Sequence, residues 1–362
     1  MKKNAFGCGG MKRALEYGSE FDLASNELVR GRWDIPVSWQ LFRSGRDALK
    51  AFARLAGRQR VLMPALCCDA MILPFRQSGW EVAFYRLRAD LTADEEDLRR
   101  KLRAGDVLLY MPYFGIPAFS EEQLLKLRRD HPSILFLEDR THDILVPRAP
   151  CGFTPDVTAA SLRKWAALPE GGMLVFRDAF AGEPDPRYGD LRLEAMEKKS
   201  RYLQSGDEAL RGEYTALLHR ADTLLDEAAE PAVMHPRYRE LLAGLDPEKI
   251  LNARRRNLAR LIERLSPVLG RGDIHLMTET PEKSGLYLPT LVENRDAIQR
   301  GLIRRRLYCP AAIWPEPPEA AGVCPVSHRV TTHMLSLLCD QRCGEGDMDF
   351  LAENLMDMMR RP

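Results

Sequence analysis

From about residue 40 the chain alternates short apolar runs with charged stretches whose apolar positions recur at helical spacing. After Ser44-Gly45-Arg46-Asp47, the residues Ala48, Leu49, Phe52, Ala53 and Leu55 keep that spacing until Gly57. The pattern predicts a helix with a capping-box-like start and free backbone N–H groups at its tip. The runs at 60–64, 82–85, 107–112 and 134–137 read as strands, separated by helical stretches reaching about Gly79, then over 94–103 and 120–129. Short apolar strands alternating with amphipathic helices predict an α/β domain with a large, mostly parallel sheet covered on both faces.

Two further runs complete that sheet. Val157 to Ser161 delivers Leu162-Arg163-Lys164-Trp165, and Leu168-Pro169-Glu170-Gly171-Gly172 turns the chain into Met173-Leu174-Val175-Phe176. Residues 178–211 are polar and interrupted by Pro184 and Pro186, which reads as a lid or dimer-contact excursion, followed by a helix over 209–229. A charged helix begins near Asp246, with a stripe of Leu251, Leu258, Leu261, Ile262 and Leu265 and with Arg254 to Arg256 largely on its solvated side. Strand-like segments at 285–289 and 334–338, a helix over 295–306 and a last helix from about Asp347 predict a smaller C-terminal α/β domain. The expected division is 1–245, an N-terminal arm and the large domain, and 246–362, a linking helix and the small domain.

Charge narrows the function. With 53 basic against 52 acidic residues the net charge is +1, so no global field draws the chain to nucleic acid or an anionic membrane, and small-molecule chemistry is favoured. The opening Met1 to Cys8 is not followed by a signal-length apolar stretch, and no run reaches membrane-span length, so a cytoplasmic protein is expected. Cys324, His328, His333, Cys339 and Cys343 are dense enough to weigh as a zinc site. No Cys-x-x-Cys pair anchors them, and core and edge positions are the favoured reading, with no metal.

Ligands of such sheets gather beyond the carboxyl ends of the strands. Standing there are Tyr113-Phe114-Gly115, Glu138-Asp139 with Thr141-His142, and Ser161 to Lys164. A lysine at the end of buried structure has its pKa lowered readily, which suits Schiff-base chemistry; a lysine snorkelling to water is the plainer alternative. Asp139 alone could cap a turn. A phosphate-ready helix tip, a strand-end carboxylate and a strand-end lysine together fit one cofactor, pyridoxal phosphate (PLP).

The same residues resemble a known family. Gly18-Ser19-Glu20-Phe21, Ser44-Gly45-Arg46-Asp47-Ala48-Leu49, Met63-Pro64-Ala65, Tyr113-Phe114-Gly115, Glu138-Asp139-Arg140-Thr141-His142, Ser161-Leu162-Arg163-Lys164, Gly171-Gly172, Arg255-Arg256-Asn257 and Leu335 to Arg342 look, in order and spacing, like the DegT/DnrJ/EryC1/StrS aminotransferases of PLP fold type I. Many of these act on nucleotide-linked keto-sugars. The resemblance implies that Lys164 forms the internal aldimine and later shuttles the proton, and that Asp139 pairs with the pyridinium nitrogen. It implies that His142 bonds the ring's phenolic oxygen and that Thr141 lies under the ring. Ser44, Gly45, Arg46 and Ser161 would cradle the phosphate, and Tyr113 would line the pocket beside cofactor or substrate. An amino-acid donor (glutamate or glutamine), a keto-sugar acceptor and a homodimer are also implied.

The segment Ala65-Leu66-Cys67-Cys68-Asp69 departs from the family, whose members carry Thr or a stacking aromatic there. Cys68 would then cover the ring, although a core role for both cysteines is the plainer reading. Two other functions stay open: a PLP enzyme of this fold with different chemistry, such as dehydration, and a non-catalytic relative that binds PLP or a sugar nucleotide. The lysine at 164 argues against the dehydratases, which carry histidine there.

Overall fold

Continuous apolar runs bounded by turns are buried on both faces, and they form the central sheet of the protein. The computed structural model describes residues 15–148, 151–269, 274–278, 285–310 and 316–360. Met1 to Cys8, where a leader was sought, and the start of the arm lie outside the described residues.

In chain order, β1 (Tyr17–Gly18) and β2 (Gln40–Phe42) lead into α1 (Gly45–Leu55), β3 (Arg60–Pro64), α2 (Asp69–Gln77), β4 (Glu81–Tyr85), α3 (Glu95–Lys101) and β5 (Val107–Tyr110). Then follow α4 (Glu121–Asp130), β6 (Leu135–Asp139), β7 (Val157–Ser161) and β8 (Gly172–Val175). The order across the seven-stranded sheet is β2-β8-β7-β6-β5-β3-β4. β7, β6, β5, β3 and β4 run parallel, while β8 and β2 are antiparallel to their neighbours. The mostly parallel sheet is therefore as expected from the alternation of runs and helices.

The helix starts have local causes. Ser44 accepts from Asp47 N–H to cap α1, Asp94 caps α3 in the same way, and Ser120 with Gln123 closes a full capping box on α4.

The second half holds α5 (Pro186–Ser205), α6 (Glu208–Glu227), α7 (Pro236–Ala243), α8 (Pro247–Leu265), β9 (Ile274–Leu276), β10 (Tyr287–Val292), α9 (Arg295–Arg304), β11 (Leu307–Tyr308), α10 (Pro325–His333), β12 (Met334–Leu338) and α11 (Glu345–Met359). Residues 186–205 are thus a long helix rather than a broken excursion. Pro186 occupies the first helical turn behind the Asp185 cap, where its missing N–H costs nothing, so it starts the helix. α5 and α6 pack as a hairpin around Ala195, Tyr202, Leu210, Tyr214 and Leu217.

A second correction concerns α8. Arg255 and Arg256 are exposed, but Arg254 is 1 % exposed and turned inward. The small antiparallel sheet β12-β10-β9 carries its own core with α8, α9 and α11. The arm joins this part of the molecule: β1 pairs in parallel with β11, and Tyr17 packs into the same core.

Among the described residues no helix is long and apolar enough to cross a membrane, and no three His, Cys, Asp or Glu side chains are placed to hold a metal ion. The residues weighed for zinc are dispersed. Cys324 Sγ accepts from Leu87 N–H at 3.4 Å, Cys339 lies against the Gly285 and Leu286 carbonyls, and His328 faces Glu316.

Candidate active site

Strand pairing sets the site residues side by side: Asp139 on β6 is in register with Ala159 on the parallel β7, and Ser161 with Gly172 on the antiparallel β8. The chain leaves β7 in a short 3-10 turn, Leu162–Lys164, that carries the lysine over the sheet edge. One cavity there is lined by Ser44, Gly45, Arg46, Cys68, Asp139, Thr141, Ser161 and Lys164. Eight of the ten residues singled out from sequence therefore share one site.

Close approach at the α1 tip depends on glycine. A Cβ on Gly172 would stand 2.0 Å from the Ser44 carbonyl oxygen, so no side chain fits where β8 passes the cap. Gly171 N–H donates to the Arg43 carbonyl at 3.1 Å and holds the same approach. Ser44 Oγ is committed to Asp47, accepting its N–H at 3.1 Å and donating to its carboxylate at 2.6 Å. Buried Arg43 grips that carboxylate with two N–H groups, at 3.0 and 2.9 Å. What Ser44 offers the cavity is therefore the cap itself, which leaves the first N–H groups of α1 without intrahelical partners. Arg46 lines the tip and is held there by Asp226 of α6.

The two titratable groups at the other end are shifted in opposite directions. Burial lowers the pKa of Lys164, and Arg163 and Arg46 push it the same way, while Cys68 and Asp139 oppose them. Burial raises the pKa of Asp139 against the Thr141 hydrogen bonding and Lys164. Thr141 N–H donates to Asp139 Oδ1 at 2.9 Å, and Thr141 Oγ1 accepts from Ser161 N–H at 3.0 Å, so the ends of β6 and β7 are tied across the site. The Cys68 thiol is raised by burial, with Lys164 opposing, whereas Cys67 is fully buried in the core.

His142 and Tyr113 stand behind this cavity rather than in its wall. Tyr113 donates its hydroxyl to the Leu66 carbonyl and is 1 % exposed, which is the position of a packing residue. His142 accepts from Phe114 N–H at its Nδ1, 3.4 Å away, beneath the Phe114 ring at 4.8 Å. Burial holds its pKa well below the ordinary value, so the ring is neutral, and that bond assigns the proton to Nε2. Phe114 is in the left-handed region at φ 53°, a strained turn of the kind that clusters at functional sites.

Sequence reasoning missed four participants. Arg163 and Tyr188 also line the first cavity. Lys164 faces a second cavity of about 420 Å³ as well, shared with Glu20, Arg254, Tyr287, Tyr308 and Arg342. Arg254 crosses from α8 to donate to the Trp165 carbonyl at 3.2 Å, the Leu286 carbonyl at 2.9 Å and Gln341 at 3.0 Å. Glu20 is held by Arg163 and Arg192, whose charges outweigh burial and bring its pKa to about 2.

No family model and no curated protein matches the chain by sequence. Solved structures match it in fold. The structure of DesI in the presence of its TDP-sugar product aligns with a TM-score of 0.64 at 17% identity, over 95% of this chain and 86% of that one. The PLP form of Spr1654, a putative sugar aminotransferase from Streptococcus pneumoniae, gives 0.62 at 16% over 88% and 86%. A DegT DnrJ EryC1 StrS aminotransferase from Brucella abortus gives 0.57 at 16% over 89% and 86%. The chain therefore has the fold of these sugar aminotransferases, fold type I of the PLP-dependent enzymes.

Proposed function

We propose that the protein is a PLP-dependent aminotransferase of the DegT/DnrJ/EryC1/StrS kind, moving an amino group from an amino acid, glutamate or glutamine, to a keto-sugar carried on a nucleotide. One observation carries the reading. A single cavity at the carboxyl ends of the parallel strands joins a lysine of lowered pKa, a buried carboxylate of raised pKa and an open helix tip flanked by Arg46 and Arg163.

The donor set fits the cofactor. Asp139 is a buried acid whose raised pKa marks a shortage of positive partners, and a protonated ring nitrogen would supply one. The α1 tip, where Gly45 stands so close to Ser161 that a Cβ would meet its Cβ at 3.3 Å, leaves backbone N–H groups for a phosphate. When bound, pyridoxal phosphate supplies an aldehyde that condenses with amines and a ring that takes up the electron pair left at carbon.

The chain's own residues do the rest. Lys164 Nζ would hold the cofactor's aldehyde carbon and, where a donor amine takes its place, would move the proton at the donor's α-carbon; burial lowers its pKa, in the direction of the neutral amine that both tasks use. Asp139 would keep the ring nitrogen protonated, Thr141 and Cys68 would border the ring, and the neutral His142, behind the cavity wall, would offer its Nε2 proton from there. Gly45, Arg46 and Ser161, with the Ser44 cap, would hold the phosphate. The second cavity, which shares Lys164, is where the sugar acceptor enters. The reading takes 1–245 and 246–362 as the two domains of a cytoplasmic homodimer.

The test is an absorbance spectrum of purified protein with PLP, followed by borohydride reduction and peptide mass analysis. Wild type should gain a visible band and a reduced adduct on Lys164, and Lys164→Ala should gain neither. A wild type that takes up no PLP would point instead to a relative of this fold without the cofactor's chemistry.

A further inference from the structure

We propose that Tyr188, on the helical hairpin, donates its hydroxyl to the phosphate monoester of the ligand seated at the α1 tip. The proposal rests on the PLP reading for the identity of that ligand, and on geometry for the contact. Tyr188 is 0% exposed, and its hydroxyl has no hydrogen-bond partner among the described residues. Buried phenols nearly always find one, so an unpartnered hydroxyl in a cavity wall marks the place of a missing acceptor.

The acceptor's chemistry follows from the neighbours. Tyr188 lines the cavity together with Ser44, Gly45, Ser161 and the guanidinium-bearing Arg46 and Arg163, a wall that supplies donors and positive charge. Only an anion with several acceptor oxygens uses all of them.

The ring cannot swing away to water. It packs on Ala221 and Leu225 of α6, with the Arg192 guanidinium 5.7 Å from its centroid. The hairpin is itself fastened to the α1 tip. Asp226 of α6 pairs with Arg46, and Asp185, the cap of α5, pairs at 3.0 Å with Arg43 beside Ser44. The helical hairpin after the lysine thus closes the phosphate end of the site and contributes a donor to it.

Tyr188→Phe removes the hydroxyl and keeps the ring. Full-length wild type and variant, stripped of bound aldehyde with hydroxylamine, are titrated with PLP and with pyridoxal by absorbance, and with inorganic phosphate by thermal shift. The variant should bind PLP roughly ten- to a hundred-fold more weakly, the range for one hydrogen bond to a charged group. Pyridoxal, which lacks the phosphate, should bind both proteins equally. Protection by inorganic phosphate should fall in the variant, while the unliganded variant melts no lower than wild type, because no internal hydrogen bond is lost.

Equal PLP affinity in the two proteins would overturn the proposal, and so would an equal loss for PLP and pyridoxal. If wild type binds neither aldehyde, the PLP reading fails by itself. Phosphate then decides: protection weakened by Tyr188→Phe keeps the anion contact, and unchanged protection removes it.

Discussion

Glu170 lies in the turn between Lys164 and β8, is 0% exposed, and is bonded on one side only. Its Oε2 accepts His235 N–H at 2.8 Å, and its Oε1 has no partner among the described residues. Burial pushes its pKa from 4.5 to about 7, against the His235 N–H and Arg43. An acid whose folded pKa is raised is bound more tightly to its proton in the folded state. Between pH 4.5 and about 7 the folded protein therefore holds more protons than the unfolded chain, and stability falls as pH rises through that window. Two and a half decades of proton affinity, at about 1.4 kcal/mol each, make this a loss of about 3 kcal/mol.

Glu170→Gln keeps an oxygen for His235 N–H and cannot ionise. Urea denaturation followed by fluorescence and by circular dichroism at steps from pH 5 to pH 8 compares the two proteins. At pH 5 they should differ little, and by pH 8 the variant should be the more stable by about 3 kcal/mol. Other titrating groups tilt both curves alike and cancel in the difference. A difference that stays constant across the range would refute the reasoning, because it would mean that Glu170 is ionised throughout or is bound to a partner in both states.

Two further substitutions test the frame of the site. Gly172→Ala forces a methyl group to 2.0 Å from the Ser44 carbonyl oxygen, so it should cost about 2–4 kcal/mol in urea and weaken PLP uptake by shifting the α1 tip; Gly57→Ala, with nothing within 4 Å but a positive φ, should cost only about 1–2 kcal/mol and leave uptake alone. Arg254→Met leaves the Trp165 and Leu286 carbonyls and Gln341 without their charged donor, so it should cost about 3–5 kcal/mol by the same assay, and Arg254→Lys, lacking the planar fork, should restore only part.

The parts of this molecule that were legible in the sequence are those where a local pattern has a local cause. Asp139 and Lys164 could be placed at strand ends because an apolar run must stop where the sheet's cover stops, and the helix tip at Ser44 because a cap is written within four residues. The misreadings have equally definite causes. Pro186 reads as a break only if Asp185 is overlooked, because a cap followed by proline is the usual opening of a helix. Arg254 was grouped with two exposed arginines, yet it falls in the same spacing as Leu251, Leu258, Leu261 and Leu265, and that stripe was the available signal for its burial. Tyr188 had no local signal at all. Its place depends on a hairpin folding back onto a helix well over a hundred residues earlier in the chain, joined through Arg46 and Asp226.

One of these missed residues, Arg254, helps tie down the short turn that carries the lysine. The carbonyl of Trp165, the residue after Lys164, accepts from Arg254 of α8 and from Gln341 beyond β12, while Trp165 Nε1 donates to the Thr141 carbonyl beside Asp139. The turn is thus clamped to the C-terminal part of the molecule on one side and to the carboxylate-bearing strand on the other. Lys164 lines both cavities because it projects from that junction. A movement of α8 relative to the large sheet would act through Arg254 on the Trp165 carbonyl and on the wall of the second cavity together, because Arg254 belongs to both. Arg254 thus anchors the backbone of the residue that follows Lys164 and lines the cavity that Lys164 faces.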